Sequence, residues 1–310
     1  MADQPDISVD LGRGLRLRSP VLMASGTFGY GFDAPLVDRG ALGAIVTKGT
    51  TVGPREGNPP TRIAETASGM LNAIGLQNPG VEYVATAYGP RWARWDLPVI
   101  VNVAGESIED YVSIARRLSG LPGIAGFELN ISCPNVALGL QFGVDARLAG
   151  ELTAAVRAAT PLPLTVKLTP NVTDIVAIAR AVEDAGADSV SAINTYVGMA
   201  LDSRRRRPVL GRGSGGLSGP AIKPLALQAV WQVAATVQVP VIGIGGITTV
   251  SDALEFLMAG AAAIQLGTIN YSRPQAAREI RDGVVAYLQS QKMRSLSSVR
   301  IAAPRVAAHV

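Results

Sequence analysis

Eight short apolar runs recur along the 310-residue chain: VLMASGT (21–27), GAIVTKG (43–49), PVIVNVA (98–104), GFELNIS (126–132), PLTVKLT (163–169), SVSAINT (189–195), VPVIGIGG (239–246) and AAIQLGT (262–268). Each is strand-length, rich in β-branched or aliphatic residues and bounded by Gly or Pro. Such continuous apolar runs suit strands buried on both faces, as in a parallel sheet. Helix-patterned stretches lie between them, among them SIEDYVSIARRL, DARLAGELTAAVRAA, TDIVAIARAVEDAG and AIKPLALQAVWQVAATV. Ser107, Asp145 and Thr173 stand where helix N-caps are expected, and Gly186 stands where a helix should close.

Strand followed by helix, eight times, predicts an α/β chain folded as a (β/α)8 TIM barrel rather than an open doubly wound sheet. Length alone admits one domain or two; the count of eight predicts one, spanning residues 1–310. Residues 7–18, ISVDLGRGLRLR, read as a short N-terminal β-hairpin able to plug the amino-terminal mouth. The connections 50–80 and 196–220 are too long to be plain loops. They are expected as insertions at the C-terminal face of the barrel, and long loops in compact domains usually carry function.

Composition narrows the function classes. Hydrophobic residues make up 48% and charged residues 17%, enough apolar content for a large core. No apolar run approaches the roughly 18 residues of a membrane span. The amino terminus, MADQPDISVD, lacks the basic-plus-apolar pattern of a signal peptide. A cytoplasmic protein without a membrane segment is expected. The single Cys excludes an internal disulfide and agrees with a reducing compartment. The net charge of +4 owes much to Arg204–Arg207, a run that either grips phosphate or an acidic partner or, as expected here, forms a solvated loop face. Aromatics are only 5% and are not interleaved with basic residues, so no nucleic-acid site is indicated.

A strand buried on both faces should be apolar, so polar residues at its carboxyl end need a reason. Ser25, Lys48, Asn102, Asn130, Lys167, Asn194 and Thr195 stand at such ends and converge on one mouth in a barrel. Two lysines and three asparagines suit an anionic, amide-bearing ligand. They do not suit a hard metal ion, which wants several acidic oxygens, and Cys133 with His309 cannot build a zinc site. GIGGI (243–247) and QLGT (265–268) fall on the last two strands, the usual phosphate position of this architecture. Either alone is explained as well by a tight turn; together they favour a ligand phosphate. GRGSGG (211–216) follows no strand and is not a dinucleotide fingerprint. Cys133, in NISCPN (130–135), follows a strand end, precedes Pro134 and has Asn130 and Asn135 as neighbours. Position alone leaves it open as a small buried hydrophobe or a chemical group.

Taken together, ASGTFGYG, TKGTTVGPREGNPPTRIAET, GMLNAIGLQNPG, NVAG, ELNISCPN, VKLTPNVTDI, AINT, GGLSGPAIKP, IGIGGI and LGT resemble, in order and spacing, the dihydroorotate dehydrogenases. The similarity is greatest to the catalytic subunit of the B-type of class 1 and runs nearly end to end. It implies one flavin mononucleotide (FMN) per chain and oxidation of (S)-dihydroorotate to orotate in de novo pyrimidine (UMP) biosynthesis. Carried over by position, the resemblance places Ser25, Lys48, Gly49, Asn102, Asn130, Lys167 and Ile193 at the flavin, and Gly219, Gly245, Gly246, Gly267 and Thr268 at its phosphate. It places Lys48, the loop Asn72, Ala73, Ile74, Gly75 and Leu76, and Asn130, Asn135, Asn194 and Thr195 at the substrate. Four asparagines are apt for a cyclic diamide, because each amide both donates and accepts.

The resemblance makes Cys133 the base that takes the C5 proton while FMN takes the C6 hydride. Class 1 members resemble this chain in having Cys there, whereas class 2 enzymes have Ser and an amino-terminal extension. B-type members pass electrons to NAD through a second subunit carrying FAD and a 2Fe–2S cluster, in a heterotetramer around a homodimer core. The alternatives are the same oxidation with fumarate or another direct acceptor and no partner and, further off, a flavin-free phosphate-binding barrel lyase or isomerase, or a silent scaffold.

Overall fold

A computed structural model describes residues 4–32, 36–132 and 142–301 of the chain. Cys133, Pro134 and Asn135 lie outside the described residues. A small antiparallel hairpin of β1 (Val9–Asp10) and β2 (Arg16–Leu17) comes first. The barrel strands and the strands of the two insertions then follow in chain order: β3 (Val21–Met23), β4 (Ala44–Val46), β5 (Ile63–Thr66), β6 (Gly69–Asn72), β7 (Val99–Val103), β8 (Gly126–Asn130), β9 (Leu164–Leu168), β10 (Ser189–Ala192), β11 (Tyr196–Met199), β12 (Leu201–Asp202), β13 (Arg207–Pro208), β14 (Ser214–Ser218), β15 (Val241–Ile244) and β16 (Ala263–Leu266).

Eight of these strands, β3, β4, β7, β8, β9, β10, β15 and β16, pair in parallel in that order, and β16 closes on β3. They are the eight runs read from the sequence. Their residues are almost all buried, as expected where a barrel interior lies on one side and helices on the other. Val9, Leu11, Leu15 and Leu17 of the hairpin form one buried cluster with barrel residues Leu22, Ala44, Val46, Ile100, Ile242 and Ala263. The hairpin therefore plugs the barrel as expected.

Side-chain caps set where helices begin. Ser107 and Asp110 form a reciprocal capping box at the start of the helix Ile108–Ser119, and Asp145 accepts from Leu148 N at the start of Ala146–Ala159. The cap expected at Thr173 is instead Asp174, whose carboxylate accepts from Val176 N (2.9 Å) and Ala177 N (3.0 Å). A carboxylate can accept both orphan N–H groups and also suits the positive end of the helix dipole, so the helix begins one residue later, at Ile175. Gly186 lies just beyond that helix at φ 95°, a conformation that favours glycine. Among the described residues, no helix is long and apolar enough to cross a membrane.

The two long insertions are not loops. They build one antiparallel sheet in the order β11-β14-β6-β5, with Leu217 opposite both Tyr196 and Leu71. Arg204–Arg206 form the exposed turn between β12 and β13, and Arg207 is exposed on β13 itself, so the arginine run is surface.

One ion-pair cluster braces the end of β15. Lys223 Nζ donates to Asp252 Oδ1 (2.6 Å) and to Glu255, joining the helices Lys223–Ala234 and Val250–Met258. Asp252 Oδ2 accepts from Thr248 N, Thr248 Oγ1 and Thr249 N. Burial alone would raise the Asp252 pKa, but the hydrogen bonds from Lys223, Thr248 and Thr249 outweigh it and hold the carboxyl well below the usual range. Its contribution to stability is therefore present above its unfolded pKa, about 4, and is lost as pH falls below that. Asp252→Asn is expected to cost about 2 kcal/mol at neutral pH. In thermal melts, the gap to the wild type should close on acidification below pH ~4; a gap that widens would contradict this role.

Candidate active site

A cavity of about 550 Å3 opens at the mouth formed by the carboxyl ends of the barrel strands and roofed by the insertion sheet. Every residue expected at flavin or substrate lines it, apart from Cys133 and Asn135, which lie outside the described residues. Lys48, Lys167 and Arg212 line it too, and among the described lining residues none is acidic. The mouth is thus electropositive and suits anions.

The glycine side of the cavity is closely packed backbone. Gly219, Gly245 and Gly246 have φ of 93°, 130° and 73°, all in the range that favours glycine. A Cβ on Gly245 would lie 2.6 Å from Ala226 Cβ, and one on Gly246 would lie 2.8 Å from Lys223 Cβ and 2.9 Å from the Gly219 carbonyl oxygen. Thr268 Oγ1 donates to Ser218 Oγ at 2.8 Å, tying the end of β16 to the end of β14. Gly219 and Gly245–Gly246, from two chain segments, thereby come together at one side of the mouth, with Thr268 of a third segment beside them.

On the opposite side the lining is polar side chain. Asn130 Oδ1 accepts from Asn194 Nδ2 (3.2 Å), and Asn194 Oδ1 accepts from Thr195 N (2.8 Å). Lys48 is half-buried; burial, and then the charge of Arg62, push its pKa down. Its ammonium is thus poorly compensated, a setting that favours an anionic partner. The loop Asn72–Leu76 is held by Asn58, which donates to Ala73 O (3.0 Å), and by Asn78, which donates to Leu76 O (2.7 Å).

Below this surface lies a buried polar layer. Asn102, Glu128, Lys167, Ser191 and Gln265 come from β7, β8, β9, β10 and β16 and meet inside the barrel. Glu128 Oε1 accepts from Asn102 Nδ2 (2.8 Å), while Oε2 accepts from Ser191 Oγ (3.0 Å) and Gln265 Nε2 (2.8 Å). Lys167 Nζ stands 3.9 Å from Glu128 Oε1. Asn102 Oδ1 is buried and has no partner among the described residues.

Sequence reasoning missed Glu128, Asn58 and Asn171. Asn171 donates to Thr195 O (3.0 Å) and accepts from Val197 N (3.0 Å), joining the end of β9 to β11. The signal for Glu128 was its charge in the middle of an otherwise apolar strand. Asn58 and Asn171 sit in polar loops, where an asparagine is unremarkable until its partners are known.

The dihydroorotate dehydrogenase family profile matches residues 11–288. A protein of Pelobacter propionicus, described as "Dihydroorotate dehydrogenase B (NAD(+)), catalytic subunit", is 53% identical over 96% of this chain and 98% of its own. Proteins of the same description from Desulforamulus reducens and Bacteroides thetaiotaomicron are 53% and 52% identical, each over 95% of this chain and 97% of their own. The crystal structure of the Eimeria tenella enzyme with ferulenol superposes with a TM-score of 0.80 at 21% identity, covering 96% of this chain and 88% of that one, a likeness of fold. With a profile match over most of its length and relatives identical at half of their positions, the chain belongs to the dihydroorotate dehydrogenase family.

Proposed function

We propose that this chain is the FMN-containing catalytic subunit of an NAD-linked dihydroorotate dehydrogenase, oxidising (S)-dihydroorotate to orotate in pyrimidine synthesis in the cytoplasm. The observation that carries the reading is the gathering, around one cavity without a carboxylate among its described lining residues, of every described residue expected at flavin and substrate.

FMN fits what the mouth offers. The buried Asn102 Oδ1 awaits a donor such as an imide N–H. At Gly219, Gly245 and Gly246 a side chain would be strained and would meet Gly69 Cα (2.8 Å), Ala226 Cβ (2.6 Å) or Lys223 Cβ (2.8 Å), so glycine alone lets these backbones meet at the mouth, where their N–H groups would serve a phosphate. Ser25, Lys48, Gly49, Asn102, Asn130, Lys167 and Ile193 would hold the flavin, and Gly267 and Thr268 would join the three glycines at the phosphate. Bound FMN supplies a two-electron acceptor for the hydride from C6. Lys48 would face the substrate carboxylate, with Asn72, Asn130, Asn135, Asn194 and Thr195 serving the amide edges and Ala73–Leu76 covering the ring. Cys133 would take the C5 proton. Lys167 would favour the reduced, anionic cofactor.

The electron route supports a partner. One cysteine cannot ligate an iron–sulfur cluster, so FAD and a 2Fe–2S cluster would sit on a separate subunit, in a heterotetramer around a homodimer of this chain. The isolated chain, reduced with dihydroorotate, is expected to be reoxidised slowly by fumarate and by NAD alone, and quickly by NAD once the partner subunit is added. Rapid reoxidation by fumarate would overturn the NAD-linked assignment.

A further inference from the structure

We propose that Glu128, in the barrel interior beneath the mouth, is a positioning residue that fixes the direction of the Asn102 amide and offsets the charge of Lys167, thereby setting the redox potential of the bound flavin. The inference rests on the reading of the mouth as an FMN site.

Glu128 is completely buried, and both of its carboxylate oxygens accept: Oε1 from Asn102 Nδ2, Oε2 from Ser191 Oγ and Gln265 Nε2. Asn102 and Gln265 thus turn their NH2 groups toward it. Their oxygens then face away: Asn102 Oδ1 and Gln265 Oε1 are both buried without a partner among the described residues. Asn102 Oδ1 lies 3.1 Å from where a Cβ on Gly49 would be, and Gly49 lines the mouth, so this acceptor faces the cavity. A neutral side chain at 128 would leave the amide free to present either end. The Glu128 carboxylate, engaging the NH2 group, leaves Asn102 able to receive only a ligand N–H.

The second effect is electrostatic. Lys167 is 6% exposed and its ammonium stands 3.9 Å from the Glu128 carboxylate, in an interior where charge pairs are weakly screened. Glu128 is the only acid that forms an ion pair with Lys167 among the described residues. Lys167 alone would favour the reduced, anionic cofactor; a carboxylate so near diminishes that preference. Replacing it by a neutral isostere should make the cofactor easier to reduce.

The test is the midpoint potential of bound FMN, measured by spectroelectrochemistry in the wild type, Glu128→Gln and Glu128→Asp, alongside the FMN dissociation constant. Glu128→Gln is expected to shift the potential in the positive direction and to weaken FMN binding about tenfold as Asn102 loses its fixed orientation. Glu128→Asp keeps the charge and should stay near the wild-type potential. A flavin-loaded Glu128→Gln protein with an unchanged or more negative potential would overturn the proposal. If Glu128→Gln does not fold, Glu128→Asp decides alone: its potential should lie at or slightly above that of the wild type, and a negative shift in it sinks the idea. Colourless wild-type protein, by contrast, would refute the FMN reading itself.

Discussion

Exchanging Cys133→Ser is expected to slow reduction of the bound flavin by dihydroorotate by about 10²- to 10⁴-fold while FMN remains in place, the range over which a positioned general base contributes. A free thiol has a pKa of about 8.5, so a usable fraction is thiolate near neutrality; a serine hydroxyl is a far weaker acid and offers almost no alkoxide there. The same chemistry gives a direction for the wild type: its reduction rate should rise as pH increases toward about 8.5. Stopped-flow bleaching of the flavin across that range checks both expectations. Unchanged kinetics in Cys133→Ser would return the residue to the class of small buried hydrophobes. The flavin's spectrum, the same before mixing in both proteins, would show that the exchange acts on proton transfer rather than on cofactor binding.

The second large effect is expected at the glycine cradle. Gly246→Ala places a Cβ on a residue at φ 73°, where an L side chain costs about 1–2 kcal/mol. That Cβ would also lie 2.9 Å from both Lys223 Cα and the Gly219 carbonyl oxygen, backbone atoms that cannot rotate away. Relief requires Gly219 and the start of the helix Lys223–Ala234 to move, which carries the phosphate-facing N–H groups out of position. FMN affinity is expected to fall at least about 100-fold, equivalent to about 3 kcal/mol. Calorimetric titration of the apo-protein with FMN measures it, with circular dichroism to show that the barrel persists. Affinity within a factor of about three of the wild type would remove Gly246 from the phosphate site, since one tenfold change corresponds to only 1.4 kcal/mol.

The barrel was legible because strands buried on both faces are mostly apolar along their length, so Lys48, Asn130 and Asn194 at their carboxyl ends stand out. The hairpin plug was legible for a related reason, its four apolar residues alternating or flanking two turn glycines, Gly12 and Gly14. The insertion sheet was not. Its strands pair across a long stretch of sequence, β14 is SGGLS, and β11 is only half buried, so neither propensity nor a repeating apolar pattern marks them. Glu128 was hidden for another reason. Its role depends on Asn102, Lys167, Ser191 and Gln265, which come from four other strands and meet only when the barrel closes. The shift from Thr173 to Asp174 shows how two adjacent capping residues compete, and the carboxylate, which accepts two N–H groups, prevails. The chemistry assigned to Cys133 came from the resemblance of the surrounding motifs and not from its position.

The most direct test is a single anaerobic turnover. The chain, loaded with FMN and mixed with a small excess of dihydroorotate in the absence of any acceptor, should bleach its flavin and release one orotate for each flavin reduced. Protein that takes up no FMN, or a flavin that stays oxidised while dihydroorotate remains unconsumed, would contradict the function proposed for this barrel.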